Sequence, residues 1–213
     1  MALDAQARLL GRPWRGNLRV AINEAGDTAQ FLTKLFGLCR VERKPEDCRV
    51  TIAIDAPLAF PASLIALLTA GRIEPAIGDS ATNPYLYRFT ERRLATSRVP
   101  LSVVKDMIGS QSTKAIHAVN KFAPVVEALG VWCDGGATRL IETYPAECLR
   151  RSGEVDEFHL DGVEGHKDIV DAGVCALIAH RFSTAPETVE QPPYDAPASE
   201  GWIWLPINKL RVT

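Results

Sequence analysis

Hydrophobic positions change their spacing along this chain, and each change predicts a different element. Residues 17–23 alternate between apolar and polar, which is typical of a strand. From residue 27, where Asp27 or Thr28 is the candidate N-cap, apolar residues recur at helical spacing as far as Leu38. Val50–Ile54 is uncharged, mostly β-branched and without alternation, which predicts a strand that is buried on both faces.

The second half of the chain continues this succession of element types. The predicted elements are a helix over 113–129 that Pro124 kinks or splits, a strand over 137–143, a short helix over 145–150, an acidic loop over 151–165, the strongest helix over 166–182 and a closing strand over 201–207. Residues 58–130 form a mainly helical and loop insertion. Strands that alternate with helices are typical of an α/β fold, and 213 residues suffice for a single domain over 1–213.

Composition narrows the class of protein without naming a function. Hydrophobic residues make up 46% and charged residues 23% of the chain, and the net charge is −2. Any contact with nucleic acid therefore needs a local basic patch or a bound cation. The five cysteines form no CxxC pair, which disfavours a zinc site and a disulfide framework. No apolar run approaches the roughly 18 residues of a membrane helix and no signal-peptide pattern is present, so we expect a soluble, cytoplasmic protein.

Asp55 follows directly after the predicted buried strand, and Pro57 ends the strand two residues later. Burying a carboxylate is costly unless another group compensates its charge. In open α/β sheets, ligands collect at the carboxyl ends of the strands. Asp55 is thus a candidate functional residue, although capping of the following turn is an alternative role for it.

Three further carboxylates make a candidate constellation with Asp55. Asp168 and Asp171 are spaced i, i+3 near the start of the strongest helix, where they also suit the helix dipole. Glu142 lies within an apolar strand, where a hydrogen-bonded structural carboxylate is the alternative. Carboxylates that converge repel one another unless they hold a cation, and oxygen ligands suit Mg²⁺ or Mn²⁺. Two such ions cleave phosphodiester bonds in many enzymes.

Several motifs in register resemble one known family. They are IDAPLAFP, YRFTERR, PLSVVKDMIGSQS, IETYPAECLR, KDIVDAGVCALIAHRF and EGWIWLP. In this order they resemble the predicted RNase H-like nucleases, a family catalogued as a domain of unknown function. The resemblance runs from about residue 18 to residue 207. It implies a ribonuclease H-like fold, with a mixed five-stranded sheet that has helices on both faces and an insertion, here about 58–130, between strands four and five.

The resemblance also implies functions for particular residues. It places metal ligands at the end of the fourth strand and in the last helix, at Asp55, Asp168 and Asp171. Glu142 falls on the family's E-x-Y-P motif and is a further candidate catalytic residue. The R-x-T-acid-R stretch implies substrate contacts, to phosphate, from Arg88, Glu91 and Arg92. The implied activity is Mg²⁺- or Mn²⁺-dependent hydrolysis of nucleic acid, with DNA and RNA both open.

One departure from the family concerns its first strand, which carries a glycine-isoleucine-aspartate motif. Here residues 1–3 resemble the start of the second strand instead. Either Asp4 is a displaced equivalent of the missing aspartate or the central first strand is absent, and we favour its absence. Loss of that strand leaves strand edges unpaired and removes one metal ligand. A catalytically inactive protein that binds nucleic acid or protein is therefore the alternative function, and a dimer is compatible with either.

A second, weaker resemblance concerns residues 134–138, with the sequence DGGAT. They are similar to a phosphate-binding turn of the actin-like ATPases, which would indicate a nucleotide-binding phosphotransferase. Those enzymes need two domains and a longer chain. A turn that precedes the strand over 137–143 is therefore the favoured interpretation.

Overall fold

The core of the protein is a mixed sheet between two layers of helices. The computed structural model describes residues 1–94, 102–152, 160 and 165–207. Residues 95–101 of the predicted insertion, and most of the predicted acidic loop, lie outside this description. The sheet contains β3 (Val50–Ile54), β4 (Val125–Ala128), β5 (Val131–Cys133), β6 (Thr138–Thr143) and β7 (Ile203–Trp204). A separate hairpin is formed by β1 (Ala2–Leu3) and β2 (Leu9–Leu10).

The sheet is ordered β3-β6-β5-β4, and β7 also pairs with β6. β3 and β7 run parallel to β6, whereas β4 and β5 form an antiparallel meander with it. The α-helices are α1 (Arg19–Glu24), α2 (Thr28–Cys39), α3 (Ala62–Ala70), α4 (Phe89–Leu94), α5 (Gly109–Phe122), α6 (Pro145–Ser152) and α7 (Lys167–Thr184). Among the described residues, no helix is long and apolar enough to span a membrane. The predicted α/β class and the mixed five-stranded sheet are confirmed.

Neighbouring residues of β6 point to opposite faces of the sheet, and each face has its own helix. On one face, Leu140 packs with Ala115 and Val119 of α5. On the other face, Ile141 packs with Val174 and other apolar residues of α7. Because β3 pairs in parallel register with β6, its alternate residues divide between the same two faces. By the same alternation, Asp55 lies on the face of Ala53, which is the face that α7 covers.

The predicted strand over 17–23 is wrong, because this segment forms helix α1. Ala21, Ile22 and Ala25 are buried against Phe31 and Phe122, and that spacing suits one face of a helix. Their burial outweighs the alternation that favoured a strand. Two residues of the alternating set, Leu18 and Val20, are left exposed.

The predicted helix over 113–129 ends early. Helix α5 stops at Phe122, and Pro124 is followed by strand β4. Proline removes a backbone donor and biases the residue before it toward extended backbone, and β-branched valines follow. Gly130, with φ +71°, then makes the tight turn into β5. A side chain there would meet the backbone nitrogen of Trp202 at 2.7 Å.

Strand β3 is confirmed in position but not in burial. All five of its residues are partly exposed, because β3 lies at the edge of the sheet. Helix α7 and the strand over 137–143 are confirmed to within two residues at each end. The closing strand is shorter than predicted: only Ile203–Trp204 belongs to the ladder, while Pro206 forms an isolated bridge with Val189.

Candidate functional site

A cleft of about 830 Å³ runs along the edge of β3 that pairs with none of the described strands. The β1–β2 hairpin, helix α2, strand β3 and helix α7 form its walls. Asp55, Asp168 and Asp171 all line it. The fold therefore brings to one cleft three of the four carboxylates that the sequence indicated.

Asp55 follows the last residue of β3 and carries a carboxylate without a partner. None of the described side chains or backbone groups gives it a hydrogen bond or an ion pair, although its neighbours Ala56 and Leu58 are buried. The side chain is open to solvent in the cleft. The surrounding protein walls still desolvate it, and this burial, with repulsion from Asp171, raises the pKa of Asp55 from 3.8 to about 6. The nearby Lys167 offsets part of the rise.

Asp171 lies deeper, with its side chain 15% exposed, and is paired with Lys167 one helical turn earlier. The Lys167 Nζ donates to Asp171 Oδ2 at 2.5 Å. This hydrogen bond, with added attraction from Asp55 and Asp168, raises the pKa of Lys167. A single ammonium group thus partly neutralises the acidic end of the cleft.

Asp168 is at the rim and already has a cationic partner. Its Oδ2 accepts from Arg15 Nε at 2.7 Å, and both side chains are more than half exposed. This hydrogen bond holds the pKa of Asp168 below its ordinary value. The neighbouring His166 caps α7 by accepting from the Asp168 backbone N–H. The Asp168 carboxylate is therefore directed toward Arg15.

The raised pKa of Asp55 predicts a pH-dependent stability difference. The folded chain binds a proton at Asp55 near pH 6, whereas an unfolded aspartate does so near 3.8. Stability therefore falls as pH rises through this window. The free energy of unfolding of Asp55→Asn should exceed that of the parent at pH 7.5 by no more than about 1 kcal/mol, since solvent screens the open site. Urea denaturation at several pH values measures the difference, which should disappear below about pH 4.

Asp168→Asn is the control for this series, because the substitution should change the free energy of unfolding in the opposite direction. Because Arg15 depresses the pKa of Asp168, that carboxylate stabilises the fold above the unfolded pKa and loses its contribution as pH falls through the folded pKa. At neutral pH, Asp168→Asn should therefore be less stable than the parent, whereas Asp55→Asn should be more stable than the parent. Equal behaviour of the two variants would show that Asp55 is not desolvated.

Glu142 lies on the opposite face of the sheet from the cleft carboxylates. It is buried, and its two oxygens accept from Arg88 at 2.5 and 2.8 Å. One oxygen also accepts from the backbone N–H of Leu58, at 2.8 Å. Glu142 thus fixes the loop that follows Asp55, which supports the alternative of a hydrogen-bonded structural carboxylate.

Arg88 and Glu91 belong to this same buried network. The Arg88 side chain is 0% exposed, and its Nε donates to Glu91 at 2.8 Å. Burial raises the pKa of Glu91, and Arg88 offsets part of that effect. Both side chains are buried in this arrangement, and their contact with a substrate phosphate stays a prediction. The exposed Arg92 is accessible to one, so its substrate contact stays a prediction.

Two other candidate segments have structural roles. Asp134 accepts from the backbone N–H groups of Gly136 and Thr138, at 2.8 and 3.1 Å. This is a self-contained Asx turn that leads into β6, as favoured for the DGGAT sequence. Asp4 is buried in the β1–β2 hairpin and accepts from the backbone and side chain of Arg8. These bonds lower the pKa of Asp4 to about 2.

The sequence interpretation missed the two cations that pair with Asp168 and Asp171, namely Arg15 and Lys167. Lys167 and Asp171 are spaced i, i+4, and that spacing is a recognised signal for an ion pair on a helix. Arg15 precedes the first helix in a segment without periodicity. Its contact with Asp168 joins residues that are 153 positions apart, so no local sequence pattern indicates this contact.

The described part of the cleft offers a metal ion two carboxylates rather than a complete set of ligands. Within the part of the chain that the structure describes, no three His, Cys, Asp or Glu side chains form a group that could hold a metal ion. Asp55 and Asp171 supply two carboxylates of the oxygen type that Mg²⁺ and Mn²⁺ prefer. The Lys167 ammonium group would compete with a cation for Asp171, and the Asp168 carboxylate is already paired with Arg15.

Comparisons with known proteins give no further guide to the site. No protein-family model, no curated protein and no solved structure matches the chain. The functional interpretation therefore rests on the fold and on the side chains of the cleft.

Proposed function

We propose that the chain is an RNase H-like, metal-dependent nuclease that hydrolyses phosphodiester bonds of nucleic acid. The observation that carries this proposal is Asp55, a carboxylate with a raised pKa and with no partner among the described residues, which lies beside Asp171 at the carboxyl end of a parallel strand. Such a carboxylate is costly unless a cation or a proton compensates it. The position matches the edge where ligands collect in open α/β sheets.

Asp55 and Asp171 would hold a Mg²⁺ or Mn²⁺ ion in this proposal. When bound, such an ion polarises a phosphoryl oxygen and lowers the pKa of water. The chain itself supplies exposed positive groups at the rim, Arg15 and Lys167, whose side chains are 54% and 76% exposed. Each is paired with a carboxylate of the cleft, so contact with phosphates would depend on a bound cation together with these two side chains.

Cleavage assays test this function directly. Single-stranded, duplex, hybrid and branched DNA and RNA substrates are incubated with the full chain and Mg²⁺ or Mn²⁺, and with EDTA as the control. We expect cleavage of at least one substrate class that depends on the metal. Failure to cleave any of them with either metal would overturn the proposal.

A second candidate function is a catalytically inactive protein that binds nucleic acid or protein. The ion pairs Lys167–Asp171 and Arg15–Asp168 favour it, because they neutralise, without a metal, two of the three predicted carboxylates that line the cleft. Such a protein would bind its partner without turnover. Calorimetry would then detect no divalent-ion site at the cleft.

Substitution of Lys167 separates these two functions. In Lys167→Gln the competing ammonium group is lost, so we expect Mn²⁺ to bind about tenfold more tightly by calorimetry. Lys34→Gln removes an ion pair with Glu24 outside the cleft and should leave Mn²⁺ affinity unchanged. Absence of Mn²⁺ binding in both the parent and Lys167→Gln favours the binding protein.

A further inference from the structure

In the described part of the chain, the sheet ends at β3, whose outer side has no neighbouring strand. Among the described residues, β3 pairs only with β6. The Val50 N–H donates to the carbonyl of Ala137, so in a parallel ladder residues 50, 52 and 54 bond toward β6. The peptide groups of Thr51 and Ala53 therefore face the cleft. An edge of this kind is a template for another strand.

The cleft beside that edge is bounded by helices above and below the plane of the sheet. On one side are apolar residues of α2, including Leu32, Leu35 and Phe36. On the other side are small residues of α7, including Ala172 and Ala176. The same cleft contacts every residue of β3. The space is thus a gap in the sheet that both helical layers already cover.

We propose that this gap binds an extended, apolar polypeptide segment, which adds to the sheet as a strand beside β3. Backbone hydrogen bonds to Thr51 and Ala53 would supply its affinity. A strand between two helical layers is buried on both faces, so the ligand is uncharged and β-branched over about five residues, the length of β3. The small side chains of α7 leave room for valine or isoleucine on that face.

A peptide that can form backbone hydrogen bonds along only one of its two edges tests whether the gap binds a strand. The probe is a short valine–isoleucine peptide flanked by lysines, with N-methyl groups on alternate residues so that only one edge forms hydrogen bonds. Titration into the full chain, in EDTA, is followed by fluorescence anisotropy and by amide NMR shifts. We expect saturable binding, with shifts concentrated at Thr51 and Ala53. A control peptide with both edges N-methylated should not bind.

Ala53→Pro is the matched protein variant. It removes a donor that faces the cleft and leaves the β6 ladder intact, because proline is tolerated at sheet edges. Binding should weaken about tenfold or more, whereas Ala53→Ser, which keeps the N–H, should bind like the parent. If Ala53→Pro fails to fold, the two peptides alone decide.

Two results would overturn the proposal. One is the absence of binding by the singly blocked peptide, or equal binding by both peptides. The other is a concentration-dependent dimer in sedimentation that Ala53→Pro abolishes, without peptide binding, because a second copy would then occupy the gap. The assay contains no divalent ion and no nucleic acid, so its result is independent of nuclease activity.

Discussion

Replacing Asp55 with asparagine is expected to lower metal-dependent cleavage by about a hundredfold or more while the fold is retained. Groups that merely orient a metal ligand commonly contribute ten- to a hundredfold, and a direct ligand contributes at least as much. Asparagine keeps the size of the side chain but loses the negative charge that holds the ion. The measurement is the single-turnover cleavage rate in Mg²⁺ and Mn²⁺, with circular dichroism as the check on folding.

Asp195→Asn is the matched control, since Asp195 is exposed and lies outside the cleft. Its cleavage rate should equal that of the parent. If Asp55→Asn retains the parent rate after the same purification, Asp55 is not a ligand and the observed activity has another source.

Replacing Arg88 with methionine is expected to lower the free energy of unfolding by about 3–5 kcal/mol. Arg88 is the cation between two buried carboxylates, Glu91 and Glu142. Its loss leaves both without a positive partner in a region that excludes water. Urea denaturation measures the difference. Arg92→Met, at an exposed position of α4 four residues after Arg88, should change stability by less than about 0.5 kcal/mol.

A double substitution shows where that cost arises. If the cost comes from an uncompensated charge, Glu142→Gln in the Arg88→Met background should restore part of the lost stability. A cost below about 1 kcal/mol for Arg88→Met would contradict a structural role for this network. Arg88 would then be available for the substrate contact that the sequence suggested.

Local signals predicted the elements on which the site is built. Of the two N-cap candidates, Asp27 caps α2, since its side chain accepts from the Gln30 N–H at 2.8 Å. The uncharged run of β3 placed Asp55 at a strand end, and the apolar face of α7 placed Asp171 near its start. Each of these signals depends on residues within a few positions of one another.

Long-range pairing was beyond the reach of those signals. Glu142 was a candidate for the site because it is a carboxylate within an apolar strand and falls on the E-x-Y-P motif, yet its face of the sheet is opposite to that of Asp55. Arg88 reaches it across 54 positions. The alternation over 17–23 likewise predicted a strand wrongly, because burial against Phe122, which is distant in sequence, favours a helix there. Tertiary packing outweighed the local pattern in each case.

A crystal of the full chain soaked in Mn²⁺ tests most directly whether the cleft carboxylates hold a cation. We predict an anomalous peak with oxygen atoms of Asp55 and Asp171 within about 2.5 Å, and with the Lys167 ammonium displaced from Asp171. A cleft in which Lys167 stays on Asp171 and no Mn²⁺ lies beside Asp55 would contradict a metal-dependent function.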